Sequence, residues 1–165
     1  MLAYHVIIAD IAIGVFPFPT EILWVGTDNS TLIHFIIAGD VEVEECSILS
    51  SCSILHEKSK VGRWVLIKGG CRINGNVPPF TIFAHNPVSY FGINAVVMRK
   101  HGYTEEQIDD IAKCYRHVYQ SGTSVFNAVR RIEADVPESE VRQEVVDFIT
   151  NNDMKIVALP ISTVD

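Results

Sequence analysis

Seven aliphatic residues recur every six positions without a gap: Ile37, Val43, Leu49, Leu55, Val61, Ile67 and Ile73. Four residues after each stands a small or β-branched one: Val41, Ser47, Ser53, Ser59, Val65, Cys71 and Val77. A period of six is neither the helical period nor the alternation of a half-buried strand. It fits a triangular solenoid with one short strand per hexad and three hexads per coil. The aliphatic side chain points into a narrow prism, and the small one lies near a corner where a larger group would clash. Each coil pairs its backbone with the next and buries apolar surface against it. The pattern therefore predicts a mainly β fold, a left-handed parallel β-helix of hexapeptide repeats over 37–79.

On either side the pattern changes. Upstream, Ile7, Ile13 and Val25 keep the frame, but Pro19 and Thr31 break it. Pro17 and Pro19 remove ladder donors, so 1–36 reads as irregular or degenerate coils. Downstream, Pro78 and Pro79 stop the repeat, and 80–103 reads as an extended connector. From 104 to 165 the signals are helical. Thr104 and Gln107 form a capping box, with Glu105 and Glu106 at the positive end of a helix. Ile108, Ile111, Tyr115 and Val118 make one apolar stripe, ended by Ser121-Gly122. Thr123 or Ser124 can cap a second helix with Val125, Val129 and Ile132 inward. A third starts near Pro137 or Ser139, buries Val141, Val145 and Phe148, and ends at Asn151-Asn152. The apolar piece IVALPI then docks as an edge strand or tail. A C-terminal α-helical domain packed on the end of the solenoid is the expectation.

Charge narrows the partners. The net charge is −7, which argues against nucleic acid. Residues 1–57 hold eight acids and no Lys or Arg. From Lys58 to His101 there are seven bases (Lys58, Lys60, Arg63, Lys68, Arg72, Arg99, Lys100) and no acid. A basic band in an acidic chain suggests an anionic partner; a solvated face is the plainer alternative. No apolar run is long enough for a transmembrane segment, and the N-terminus lacks the basic region of a secretory signal. Cys46, Cys52, Cys71 and Cys114 show no metal-ligand spacing, which suits free thiols in the cytoplasm and no metal site.

A solenoid with three hexads per coil aligns residues eighteen apart. That register puts Glu21, Gly39 and Glu57 in one column, with His56 beside it. Gly39, in the motif IAGD, allows a ligand close to the backbone, and its N–H could serve as an oxyanion donor; a glycine at a tight corner is the alternative. His56 follows an inward leucine and faces outward, as a ligand contact or an idle surface residue. Lys68-Gly69-Gly70 reads as a corner of small residues, and Arg99, Lys100 and His101 precede the first long helix.

The segments IAGDVEVEECSIL, LHEKSKVG, NVPPFTIFAHNP, FGIN, MRKHGYTEEQID and YRHVYQSGTS together resemble the acyl-carrier-protein-dependent UDP-N-acetylglucosamine O-acyltransferases of lipid A synthesis. The resemblance implies a homotrimer of β-helices with active sites between neighbouring subunits. It implies transfer of a 3-hydroxyacyl group from acyl carrier protein to the sugar 3-hydroxyl of UDP-N-acetylglucosamine. No cofactor is implied beyond the carrier's phosphopantetheine thioester, which is the acyl donor. By motif, Gly39 is similar to the oxyanion glycine, and Asp40 stands where the family has a substrate-contacting histidine. His56 matches a family histidine and Glu57 replaces the glutamine after it. Gly69 falls near the glycine that sets acyl-pocket depth. Asn94 matches the asparagine of FGIN, and Lys100 and His101 a basic pair that contacts nucleotide and carrier. The family's general base is a histidine one coil before the oxyanion glycine. Here that register gives Glu21, or Ala9 if IIADIAIG is aligned instead, and neither is histidine. Family members are also longer at the N-terminal end, so the chain reads as shortened there. The alternative to an active acyltransferase with Glu21 as base is an inactive module that keeps the carrier-binding and trimer surfaces.

Overall fold

The computed structural model describes residues 41–44, 46–151 and 154–159, together with the backbone of four earlier strands. These strands are β1 (Ile7–Ile8), β2 (Ile11–Ala12), β3 (Thr20–Thr27) and β4 (Thr31–Ala38). Six two-residue strands then begin every six residues: β5 (Glu42–Val43), β6 (Ile48–Leu49), β7 (Ile54–Leu55), β8 (Lys60–Val61), β9 (Leu66–Ile67) and β10 (Arg72–Ile73). Their pairings with one another are parallel and eighteen residues apart. Ile36, Ile54 and Arg72 share one ladder, Glu42 pairs with Lys60, and Ile48 with Leu66. Each coil thus lays one strand on each of three sheets, because three hexads close one turn.

The prism is filled as the repeat requires. Leu49, Leu55, Val61, Ile67 and Ile73 are at most 1% exposed. Val43, in the first of these strands, is only half-buried. The side chain of Ile37 lies outside the described residues. Val41, Ser47, Ser53, Ser59, Val65, Cys71 and Val77 are all buried. Two of the serines do more than save space, whereas the Ser59 hydroxyl is buried without a partner among the described residues. Ser47 Oγ donates to the Gly62 carbonyl at 2.7 Å and accepts from the Val65 N–H at 3.3 Å, tying adjacent corners. Ser53 Oγ donates to the Ser50 carbonyl at 2.6 Å within its own corner. A buried hydroxyl bonded to a carbonyl avoids a desolvation cost of about 1–3 kcal/mol.

The corners carry a second six-residue period. Three positions after the aliphatic residue the chain turns through positive φ: Cys46 (59°), Cys52 (62°), Lys58 (63°), Trp64 (59°) and Gly70 (77°). Only the last is glycine. The other four bear the crowding of Cβ against the carbonyl oxygen, a cost of about 1–2 kcal/mol each that stacking with the next coil offsets.

Before β5 the solenoid reading needs correcting. β3 and β4 form an antiparallel pair with Thr20 opposite Ala38 and Thr27 opposite Thr31. Turn-forming Asp28, Asn29 and Ser30 separate two segments rich in β-branched and aromatic residues, TEILWVGT and TLIHFIIA. Between β3 and β4 the chain changes direction instead of winding on. Glu21 therefore faces Ile37 across an antiparallel ladder, not in the parallel register that eighteen-residue coils would give, and Gly39 lies outside the described residues. Ile7 and Ile8 likewise pair back on Ile11 and Ala12. Segment 1–36 thus contains antiparallel pairs rather than degenerate coils.

The connector is also more ordered than expected. β11 (Thr81–Ala84) and β12 (Ser89–Ile93) form a hairpin, and β11 extends the third sheet in parallel with β9. Ile82 pairs with Leu66, sixteen residues earlier instead of eighteen, and Phe83 takes the inward place at 0% exposure. The shortened turn is tight: a Cβ on Gly62 would lie 2.7 Å from Pro79 N. Helix α1 (Ala95–Lys100) follows.

The helical part matches its local signals. Thr104 caps α2 (Glu105–Tyr119) with the full capping box, and Ile108, Ile111, Tyr115 and Val118 are buried. Ser124 caps α3 (Val125–Asp135), which buries Ala128 and Ile132, while Val125 and Val129 are half-buried. Ser139 caps α4 (Glu140–Thr150), with Val141, Val145 and Phe148 inward. Two contacts fasten these helices to the solenoid and a third to the tail that docks on it. Tyr115 Oη donates to the Pro79 carbonyl at 2.6 Å, Arg63 makes a two-pronged ion pair with Glu144, and Tyr119 Oη donates to the Val157 carbonyl at 3.3 Å. The apolar piece after α4 docks on the last coil. Asn76 N–H donates to the Lys155 carbonyl, Val157 N–H to the Asn76 carbonyl, and Asn76 Nδ2 to the Met154 carbonyl. Gly75 makes room, since a Cβ there would stand 2.5 Å from Lys155 O.

Two glycines separate conformational from steric cost. A Cβ on Gly70 would meet nothing within 4 Å, so Gly70→Ala should cost only its positive φ, about 1–2 kcal/mol. Gly62→Ala must displace the Pro79 backbone and should cost more. Chemical denaturation of both variants measures the difference, and an equal or reversed order would count against the corner geometry.

Candidate functional site

The three corners of the solenoid differ in what they present. The corner after the first sheet carries His56 and Glu57, both exposed. The His56 N–H donates to the Ile73 carbonyl at 2.9 Å, which holds the residue at the rim while its ring faces out. Gly39 and Asp40 lie outside the described residues. Only the backbone of Glu21 is described, facing Ile37, two residues before Gly39 in the chain.

Another corner holds Gly69, exposed and stacked on the preceding coil. Gly70 N–H donates to the Ser51 carbonyl at 3.1 Å, and a Cβ on Gly69 would lie 2.9 Å from that oxygen. The absence of a side chain at Gly69 is thus required by coil stacking. On the same side Lys68 Nζ sits 3.8 Å from the centroid of the Phe91 ring, itself 56% exposed.

The remaining corner, around Trp64, holds α1. Asn94 is 3% exposed, and its Nδ2 donates to the Trp64 carbonyl at 2.9 Å. Lys100 is exposed at the last turn of α1, and His101 is its C-cap, with its ring 4.2 Å from the Trp64 ring. The described candidates therefore lie along three edges of one protomer, and a single chain brings Asn94, Lys100 and His101 together but not these with His56, Glu57 or Gly69. Sequence reading alone misses Trp64. The signal for it is a large aromatic at the turn position of a hexad.

Electrostatics reduce the basic band. Lys60 pairs with Glu42 and Glu44 at 3.4 and 3.3 Å, Arg63 with Glu144, and Arg99 with Glu105. The hydrogen bond from Arg99 is the main reason the Glu105 carboxyl is held below its usual range. Lys58, Lys68, Arg72 and Lys100 remain exposed without a carboxylate partner among the described residues. Three cations on the solenoid and one on α1 are a smaller attraction than the seven-base band. No group of His, Cys, Asp and Glu among the described residues could hold a metal ion, and no described helix is long and apolar enough to cross a membrane.

Cys52, Cys71 and Cys114 carry free thiols. Burial pushes the Cys114 thiol up to about 12, with Asp110 adding to it, and burial also raises Cys71. Neither has the thiolate character of a nucleophile. In the native protein at pH 8, a disulfide reagent should label exposed Cys52 first and Cys114 only after unfolding. Early labelling of Cys114 would contradict the packing of α2.

Comparison with known proteins agrees with this architecture. A family model described as UDP N-acetylglucosamine O-acyltransferase, domain 2, matches residues 76–157. The acyl-[acyl-carrier-protein]–UDP-N-acetylglucosamine O-acyltransferase of Halorhodospira halophila is 32% identical over 116 residues, 70% of this chain and 45% of that protein. That of Xylella fastidiosa is 31% identical over 114 residues, 68% of this chain and 43% of the relative. The crystal structure of a UDP-N-acetylglucosamine acyltransferase from Bacteroides fragilis superposes with a TM-score of 0.71 at 37% identity, covering 73% of this chain and 47% of that one. The enzyme from Francisella novicida gives 0.70 at 28% identity, covering 76% and 46%. The chain spans about half the length of the curated relatives it matches.

Proposed function

Because the chain belongs to the UDP-N-acetylglucosamine O-acyltransferase family, we propose that it moves a 3-hydroxyacyl chain from acyl carrier protein to the 3-hydroxyl of UDP-N-acetylglucosamine, the first step of lipid A synthesis. The observation that carries this reading is relatedness above 30% identity to enzymes named for that reaction, running through both the solenoid and the helices. The fold that goes with it is a left-handed parallel β-helix with the helices as a domain at its C-terminal end. The donor is the carrier's phosphopantetheine thioester, with no resident cofactor, and the protein works in the cytoplasm.

The chemistry is acyl transfer. The sugar oxygen attacks the thioester carbonyl, the tetrahedral oxyanion takes a hydrogen bond from the Gly39 N–H, and the pantetheine thiolate leaves. The proton of the sugar hydroxyl passes to Glu21 and then to the thiolate. A carboxylate serves as base only if its surroundings raise its pKa from the ordinary value of about 4.3. Asp40, His56 and Glu57 would orient the sugar, Gly69 would bound the acyl pocket, and Asn94, Lys100 and His101 would meet the nucleotide and carrier. The distribution of these residues over three edges supports a homotrimer, in which one subunit's corner completes a neighbour's site.

Two measurements test this. Purified protein with acyl carrier protein thioester and UDP-N-acetylglucosamine should release free carrier thiol, and Glu21→Gln should lower kcat by at least about a hundredfold, the lower range for general-base catalysis. Wild-type protein without turnover would refute the activity, and full activity of Glu21→Gln would refute the base. Sedimentation should give a trimer at micromolar concentration; a monomer would leave the site incomplete.

A further inference from the structure

Trp64 is an expensive residue where it stands. It occupies a corner at φ 59°, a conformation that favours glycine, and is 9% exposed. Its Nε1–H is buried without a hydrogen-bond partner, a penalty that leucine or phenylalanine at the same place would avoid. What the residue supplies is two attachments for one short helix. Its carbonyl accepts from Asn94 Nδ2 at 2.9 Å, and its ring carries the His101 ring at 4.2 Å with a tilt of 42°. Asn94 is the N-cap of α1 and His101 its C-cap. The Asn94 side chain makes no capping bond to its own helix and turns to Trp64 instead. Six helical residues rise only about 9 Å, so one residue can reach both ends. Trp64 is itself held by its neighbours: Arg63 pairs with Glu144 and lies over the Phe80 ring, and Asn94 N–H donates to the Phe80 carbonyl at 2.6 Å.

We propose that Trp64 is a positioning residue that clamps both ends of α1, with Asn94 as the buried anchor of one end, and thereby holds the exposed Lys100 and His101 at the other in register for the diphosphate of a nucleotide sugar. The ligand assignment rests on the function proposed above; the clamp rests on the contacts alone. His101 is exposed and would swing freely on a six-residue helix, and a ring packed at a tilt against a buried indole loses that freedom before the ligand arrives. Preorganisation of this kind contributes affinity by lowering the ordering cost on binding.

The test uses the full chain, with UDP-N-acetylglucosamine binding followed by calorimetry and the His101 imidazole resonances by NMR. In the wild type the indole ring current should displace those resonances upfield. Trp64→Leu keeps bulk but removes the aromatic face. It should bring the His101 resonances back toward free-imidazole positions and weaken binding about tenfold. Trp64→Phe should restore most of both. His101→Ala should weaken binding to a similar degree, and the double variant Trp64→Leu/His101→Ala no further, because both changes remove one contact. Additive losses, or Trp64→Leu binding as wild type, would overturn the positioning role. His101 resonances unmoved by Trp64→Leu would overturn the clamp itself. Wild-type protein that shows the upfield shift but binds no UDP-N-acetylglucosamine would refute the ligand and the function above while leaving the clamp standing.

Discussion

Everything in this chain hangs on the parallel register of eighteen residues. A two-residue strand makes too few hydrogen bonds to exist alone, so each depends on the strand one coil away. The condition for that stacking is a residue small enough to let two corners meet, and a polar one can add a hydrogen bond to a carbonyl. Ser47 does both through Gly62 and Val65. The apolar ladder Leu49–Ile67–Phe83 then fills the prism behind one sheet. Backbone pairing and apolar burial are one event here, since neither can form without the other.

The helices depend on where the register is broken. The sixteen-residue step from Leu66 to Ile82 draws Pro79 against Gly62 and exposes its carbonyl to Tyr115. A regular eighteen-residue coil would have placed another short strand on that face. Instead Phe80, Trp64 and Met98 join the helical residues Ile108, Ile111 and Tyr115 in one core. The second core, around Leu55 and Ile73, belongs to the prism, and Tyr90 and Tyr119 pack against both. The solenoid and the helices are thus joined through side chains that a shortened turn made available.

Repeat and caps are legible in the sequence because each is a local rule with a single physical cause. The hexad marks inward residues whatever the surroundings, and Thr104 with Gln107 satisfies orphan helix N–H groups whatever the helix packs on. The β3–β4 reversal is not legible from a frame that scans only for hexads. Val25 keeps that frame by spacing alone, although it pairs antiparallel with Ile33. Candidate residues are placed by motif, and the motif says nothing about partners. Asn94 is buried against Trp64 and Arg99 is engaged by Glu105, because both contacts join residues that lie apart in sequence or need a helix start to meet. The unused information is the indole at position 64, out of character for a corner.

The docking of 154–159 on Asn76 has a consequence in time. The two partners of this bridge are about eighty residues apart, and at roughly 5–20 residues per second the strand follows its site by about 4–16 s during synthesis. For that interval the newest coil shows water an unpaired backbone edge, of the kind that recruits other strands. Asn76 is also tied to the preceding coil, its Oδ1 accepting from the Lys60 N–H at 2.8 Å, a contact made by residues synthesised before the closing segment. The segment made last is thus the one that closes this coil, and a side-chain amide made with the coil joins the two.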